Sequence, residues 1–137
     1  MCTSFKVELL KGIHNFTAAS NVFKLALYTN SASFNAATTA YTSGNEVNGT
    51  NYTAKGNAIT TVTPTSSSTT AFVDANDVVF SNVTINGVRG ALFYNEAASG
   101  DPTVAVLDFG SDKAASAGDF TVVMPTVDAS NAIILIA

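Results

Sequence analysis

Cysteine and histidine each occur once in this chain, as Cys2 and His14, and tryptophan does not occur at all. A single cysteine excludes an intramolecular disulfide and any multi-cysteine zinc site. A Ser-His-Asp triad would have to use His14. That residue sits beside Ile13 and Phe16, on or just after a short helical pattern, where a satisfied or solvated histidine is expected rather than a base. Charge is also scarce: 12% of residues are charged, six of them basic, and the formal net charge is −4. The basic residues are scattered, which argues against nucleic-acid binding through phosphate neutralisation. No apolar run approaches the roughly 18 residues of a membrane span. The opening MCTSFKVELLKG has neither an apolar signal core nor a small-residue cleavage site, so synthesis in a cytoplasm is expected. Glycine-rich phosphate loops are missing, as is any repeat of the roughly 20–50 residues that marks solenoids and propellers.

Carboxylates are few. Asp74-Ala75-Asn76-Asp77 lacks the spacing and distal Glu of a calcium loop and reads as an Asx-turn between strands. Asp108 lies inside an apolar hairpin and is expected to be a partly buried structural residue with a hydrogen-bonding partner. Asn-x-Thr triplets at Asn15, Asn48, Asn51 and Asn82 follow from an Asn/Thr-rich composition. No catalytic, cofactor-binding or metal-binding residue is assigned, and an enzyme is not expected.

What the chain has is apolar strand material. Of its 137 residues 47% are hydrophobic, which argues against disorder and suits one domain. A chain of this length buries roughly 68–70% of its unfolded surface, enough for a core without staples. The stretch Gly90 to Phe109 organises the rest: two apolar runs flank a loop carrying Gly100, Asp101 and Pro102. Apolar residues at odd and even positions predict central strands covered on both faces, joined as a hairpin. Phe5, Leu9, Leu10, Ile13 and Phe16 form one apolar stripe, predicting a helix capped by Thr3 or Ser4, with Gly12 able to end it early. Val22 to Thr29 alternates as a half-buried strand. Residues 30–56 read as a long excursion anchored by Phe34 and Tyr41, with Asn48-Gly49 a turn that packs Val47 on Tyr52. Ala58 to Thr63 predicts an edge strand stopped by Pro64, and Thr65 to Thr70 an exposed loop. Strands follow at 71–73, 78–85, 120–124 and 133–136, with a turn at Asn86-Gly87 and a polar connection over 110–118. The expected fold is all-β, a sandwich or small barrel of about seven or eight strands. It divides into an N-terminal helical arm over 1–21 and a β domain over 22–137.

The blocks SFKVELLKGIH, FKLALYT, TTAYTSGNEVNGTNYTAKG, ALFYNE, TVAVLDFG and AGDFTVVMPTVDASNAIILIA together resemble a family of small structural proteins of tailed bacteriophages. The resemblance runs over nearly the whole chain in the same order and is most specific over 41–56 and 118–137. It departs at Lys55, where a small residue looks more usual, and in the plain loop at Ser66 to Ser68. The family carries no catalytic motif, so the resemblance transfers no site residue. It implies a virion component, made in the host bacterial cytoplasm and needing no cofactor. The expected role is a capsid decoration or cement protein that binds the major capsid protein and itself, as a homo-trimer at capsid three-fold positions. The arm and the 30–56 excursion are the expected contacts, with no nucleic acid and no membrane as partners. The competing expectations are a tail, neck or fibre component, and a carbohydrate-binding β-sandwich presenting Tyr41, Tyr52 and Tyr94.

Overall fold

The computed structural model describes residues 1–17 and 21–137; residues 18–20, part of the expected arm, lie outside the described residues. The chain is all-β with one short N-terminal helix. In order it forms α1 (Thr3–Leu10), β1 (Phe23–Thr29), β2 (Asn57–Ile59), β3 (Thr65–Ser67), β4 (Thr70–Val73), β5 (Val78–Asn95), β6 (Thr103–Val122) and β7 (Ile134–Ile136). These build a four-stranded antiparallel sheet in the order β2-β1-β5-β6 and a three-stranded one in the order β3-β4-β7.

β5 and β6 are 18 and 20 residues long. Both were expected to be broken, by a turn at Asn86-Gly87 and by a polar connection over 110–118. The strands instead run through both places, and β-bulges absorb the surplus residues. Phe80, Val83, Ile85 and Val88 all point into the core, at spacings of three, two and three. A regular strand would turn Val83 and Ile85 to the face opposite Phe80 and Val88. One extra residue on β5 between Phe80 and Val83, and another between Ile85 and Val88, restores the phase. Asn82 (φ 51°) and Gly87 (φ 65°) adopt the left-handed backbone there. Asn86-Gly87 therefore bends a strand where its dipeptide chemistry suggests reversing one. The hairpin over 90–109 is as expected: Ala91, Leu92 and Phe93 pair with Leu107, Val106 and Ala105.

β1 is covered on both faces and is not half-buried. Phe23, Leu25 and Leu27 enter the main core, whereas Ala26 and Tyr28 pack with Leu92 and Tyr94 on the opposite face. The cover on that second face is the excursion itself, since Ala32, Phe34 and Tyr41 lie against the cluster. β2 is an edge strand as predicted, but it spans Asn57–Ile59 and ends well before Pro64, not at it. The Ser/Thr segment after Pro64 forms β3, a fully exposed strand turning back into β4 at Ser68 (φ 53°), and is not a loop. β7 pairs with β4, but its Ile136 is exposed, so only the start of the final strand is buried.

The helix stops at Leu10 instead of reaching Phe16. The Gly12 N–H bonds the Leu9 carbonyl and the Ile13 N–H bonds the Glu8 carbonyl, with Gly12 at φ 71°. That is a Schellman stop, and glycine adopts its left-handed residue at least cost. Cys2 is the N-cap residue and makes no side-chain cap bond, so neither Thr3 nor Ser4 caps. Within the helix only Phe5 is buried, and Leu10 is 90% exposed, so the expected stripe does not form one buried face.

Gly56 runs hard against β1. A Cβ there would lie 1.9 Å from the Leu25 carbonyl oxygen, at a φ of +69°. At Gly87 a Cβ would meet nothing within 4 Å. Gly56→Ala is expected to cost at least about 3 kcal/mol through backbone clash and strain, and Gly87→Ala about 1–2 kcal/mol from the left-handed backbone alone. Urea unfolding of the two variants measures the difference, and equal losses would contradict the close approach.

Candidate functional site

The residues best suited to chemistry are built into the core. The His14 ring is buried between Phe5, Phe16 and Phe23, with centroids at 4.9, 6.3 and 6.3 Å. Its Nε2 lies 2.9 Å from Glu8 Oε2, and Asn95 Nδ2 lies 3.2 Å from its Nδ1. It is the satisfied histidine that its surroundings implied, and it fastens the segment after α1 to the end of β5. Cys2 is fully buried and not exposed. Burial pushes its thiol up, away from the reactive thiolate.

Asp74 Oδ1 accepts the Ala75 N–H at 2.8 Å, and Asp77 Oδ1 accepts the Met124 N–H at 2.8 Å. Asp77 thus fastens the chain before β5 to the chain after β6, whereas the Asp74 bond is local and its buried Oδ2 has no hydrogen-bond partner among the described residues. Among the described residues no group of three or more His, Cys, Asp or Glu side chains is placed to hold a metal ion. Asp108 is not the partly buried residue expected; its side chain is 69% exposed. It accepts the Gly110 N–H at 2.8 Å and the Arg89 Nε–H at 3.0 Å. That backbone bond first, and Arg89 second, hold its carboxyl below the usual range. Its exposure follows from its place on β6, an edge strand of the larger sheet.

All four tyrosines of the chain meet the excursion, and Glu46 joins two of them, Tyr41 and Tyr52. Glu46 accepts the Tyr41 hydroxyl at 2.7 Å, the Tyr52 hydroxyl at 2.8 Å and the Lys55 backbone N–H at 2.8 Å. The Tyr52 oxygen in turn accepts the Leu27 N–H at 2.9 Å, satisfying β1 where β2 no longer pairs with it. Tyr28 donates to the Thr42 carbonyl at 2.6 Å and Tyr94 to the Lys55 carbonyl at 2.8 Å. Tyr41 stacks on Tyr94 with centroids 5.0 Å apart, and Phe34 meets Tyr28 edge-on at 4.6 Å. The expectation of Tyr41, Tyr52 and Tyr94 as an exposed sugar platform is therefore overturned: Tyr94 is fully buried, and the other two are half-buried with hydroxyls committed to Glu46. Asn48-Gly49 does not form the expected turn either. The turn lies two residues on, with the Tyr52 N–H on the Gly49 carbonyl and Asn51 at φ 62°. Gly49 is needed because a Cβ there would sit 2.1 Å from the Thr84 carbonyl oxygen.

With the excursion's aromatics turned inward, the exposed large apolar side chains lie elsewhere, on the arm and at scattered positions such as Val79, Val123 and Ile136. On the arm Met1, Val7, Leu10 and Ile13 are exposed, flanked by exposed Lys6 and Lys11. The arm is nevertheless tied down, by the Cys2 N–H on the Val104 carbonyl at 2.9 Å and the Thr3 N–H on the Ala36 carbonyl at 2.8 Å. Sequence reasoning missed Glu46 altogether. Its only visible signal was a lone carboxylate between two tyrosines in a segment otherwise poor in charge.

Comparison of the chain with protein-family models, with curated proteins and with solved structures finds no match.

All four phenols are held well above the ordinary tyrosine range. Burial is the first cause at each, reinforced by the Glu46 carboxylate around Tyr28, Tyr41 and Tyr52 and by Glu96 near Tyr94. The native state therefore holds these protons more tightly than the unfolded chain. The resulting stability is whole below pH ~10 and is lost as pH climbs beyond it. Absorbance titration should show tyrosinate rising in one cooperative step above pH ~10, together with loss of the circular-dichroism signal; gradual ionisation of a folded chain would contradict this. Glu46→Ala strands two hydroxyls and an N–H and is expected to cost about 3 kcal/mol or more, read by urea unfolding.

Proposed function

We propose that this chain is a non-enzymatic virion component of a tailed bacteriophage, a capsid decoration or cement protein that binds between subunits of the major capsid protein. The observation that carries the reading is the arm. Its helix turns Val7 and the 90% exposed Leu10 outward, on a molecule with little charge to repel a partner. The sequence resemblance over nearly the whole chain suggests the virion context. A cement protein works by buried area and not by chemistry, and large permanent interfaces are more apolar than ordinary surface. The core residues suit such a protein, because the histidine, the cysteine and the buried carboxylate Asp74 are all used to hold backbone or fill space. The excursion contributes a polar outer surface to the contact, since Phe34, Tyr41 and Tyr52 face the protein's own sheet. In this reading the chain assembles as a homo-trimer at three-fold positions of the capsid.

Quantitative mass spectrometry of purified virions tests the role through the copy number relative to the major capsid protein. A ratio near one to one, or a simple fraction of it, is expected. A handful of copies would move the chain to the neck, tail or fibre. Leu10→Glu tests the arm. It removes an exposed side chain, so stability should change by no more than about 0.5 kcal/mol, while occupancy on the capsid falls. Full occupancy of the variant would exclude the arm as a contact. Deleting residues 1–16 is a blunter test, because it also removes the buried Phe5 and Phe16. A monomer in the assembled virion would exclude the trimer.

A further inference from the structure

Where the excursion leaves the sheet, it does not cover it completely. A depression of about 350 Å³ opens beside Phe34, over the end of β1, Arg89 and Gly90 within β5, and Val106 to Asp108 of β6. Its position follows from the register. Tyr28 pairs with Gly90, and Gly90 pairs with Asp108, so the middle member of this cross-sheet row has no side chain. Gly90 is required for a separate reason, since a Cβ there would lie 2.4 Å from the Leu107 carbonyl oxygen. The half-buried Phe34 ring stands on one side. Polar groups stand on the other. Arg89 Nε donates to Asp108 Oδ1 at 3.0 Å, and Asn30 Nδ2 donates to Asp112 Oδ2 at 2.9 Å. Beyond Phe34, Val106 and Asp108 lies a second depression of about 250 Å³, so Phe34 is a ridge between two adjoining hollows.

We propose that this depression is a carbohydrate subsite for a neutral, hydroxyl-rich pyranose, its C–H face against Phe34 and its hydroxyls on Asp108, Arg89 and Asn30. Three features select that class. An apolar ring beside fixed donors and acceptors matches a sugar, which presents a C–H face and a polar rim. The polar set holds one cation, Arg89, against two carboxylates, Asp108 and Asp112, whose Oδ1 lies 3.9 Å from Arg89 Nη1. Its net negative charge opposes phosphate, sialic acid and nucleic acid. The volume sits at the lower end of the roughly 300–1,000 Å³ of small-molecule sites, and the second hollow leaves room for a following sugar. Arg89 and the Gly110 N–H occupy one oxygen of Asp108, and Oδ2 takes no hydrogen bond among the described residues, leaving it to accept from a ligand hydroxyl. The proposal does not depend on the virion role, and it places sugar recognition on residues other than the buried tyrosines.

The test is an array of glucose-, galactose-, mannose- and rhamnose-terminated glycans beside sialylated and phosphorylated ones, probed with the full chain. Calorimetric titration with the strongest neutral binder follows. Binding confined to neutral glycans is expected, with Asp108→Asn weakening it about tenfold through loss of a charge-assisted bond. Phe34→Ala should abolish it, and because Phe34 also packs on Tyr28, Asn30→Ala provides a variant outside that packing, expected to weaken binding several-fold. Thermal melts establish that each variant is folded. Absence of neutral-glycan binding, binding of anionic glycans only, or affinity that Asp108→Asn and Asn30→Ala both leave unchanged would overturn the proposal.

Discussion

The pairing of β5 with β6 is the constraint on which the rest of the molecule depends. The two strands carry the only long ladder among the described residues, and every other part of the larger sheet is added to it. A ladder this long is demanding, because strand side chains alternate with a period of two and a slip of one residue exchanges the faces. The apolar residues of β5 do not keep that period over the whole strand. The bulges reconcile the sequence with the sheet by looping out the residue that is out of phase. They also shape the exposed edge of β6, where Gly110 and Ala117 adopt positive φ. A kinked edge is a poor template for pairing with another chain, a useful property where few charges guard the surface.

Covering both faces of the central strands creates a second requirement. One face has the main core, whereas the other has only what the excursion brings to it. A loop of that length has many backbone groups to satisfy and few apolar residues with which to hold itself in place. The solution is a polar hub under an aromatic layer: rings supply buried area, and Glu46 gathers two hydroxyls and a backbone N–H. Lys55 extends the connection outward, 3.3 Å from Asp101 and 3.5 Å from Glu96 in the loop between β5 and β6, with Lys24 3.0 Å from Glu96 on its other oxygen. Partial burial alone would push Glu96 up, yet Lys24 and Lys55 together hold it below its ordinary value. The excursion and the central hairpin are thus fastened by ion pairs outside and by tyrosines inside. Where this fastening ends, at Asn30 to Phe34, the sheet face is left partly open.

Much of this was legible in the residues. β1 and the 90–109 hairpin were legible as strands, and in the hairpin propensity and burial agree; the cover on the second face of β1 was not legible, because the excursion supplies it. The edge position of β2 was legible from its Thr-rich, proline-flanked segment, though its end at Ile59 was not. The helix stop was legible because Gly12 has one favourable role at a helix end. Asn86-Gly87 and the 110–118 segment were misread for a common reason. Turn-forming dipeptides and small polar residues also suit a bulged, solvent-facing strand, and the partner strand that selects between the two readings is distant in sequence. The β3 strand was hidden in the same way, since three exposed Ser and Thr residues carry no hydrophobic period.

The residue chemistry divides along the same line. The chain's composition alone excluded an intramolecular disulfide and a multi-cysteine metal site, and its apolar runs determined an all-β fold with a central hairpin, because these follow from residue counts and from short-range periodicity. The burial of the tyrosines, the role of Glu46 and the exposure of Asp108 were decided only in three dimensions. Each depends on which strand is an edge and on where a loop lies down, and those are properties of contacts between residues far apart in the chain. Asn30 and Asp112 are 82 positions apart and meet at 2.9 Å; no local pattern encodes that distance, and only the register of β1 on β5 and of β5 on β6 sets it.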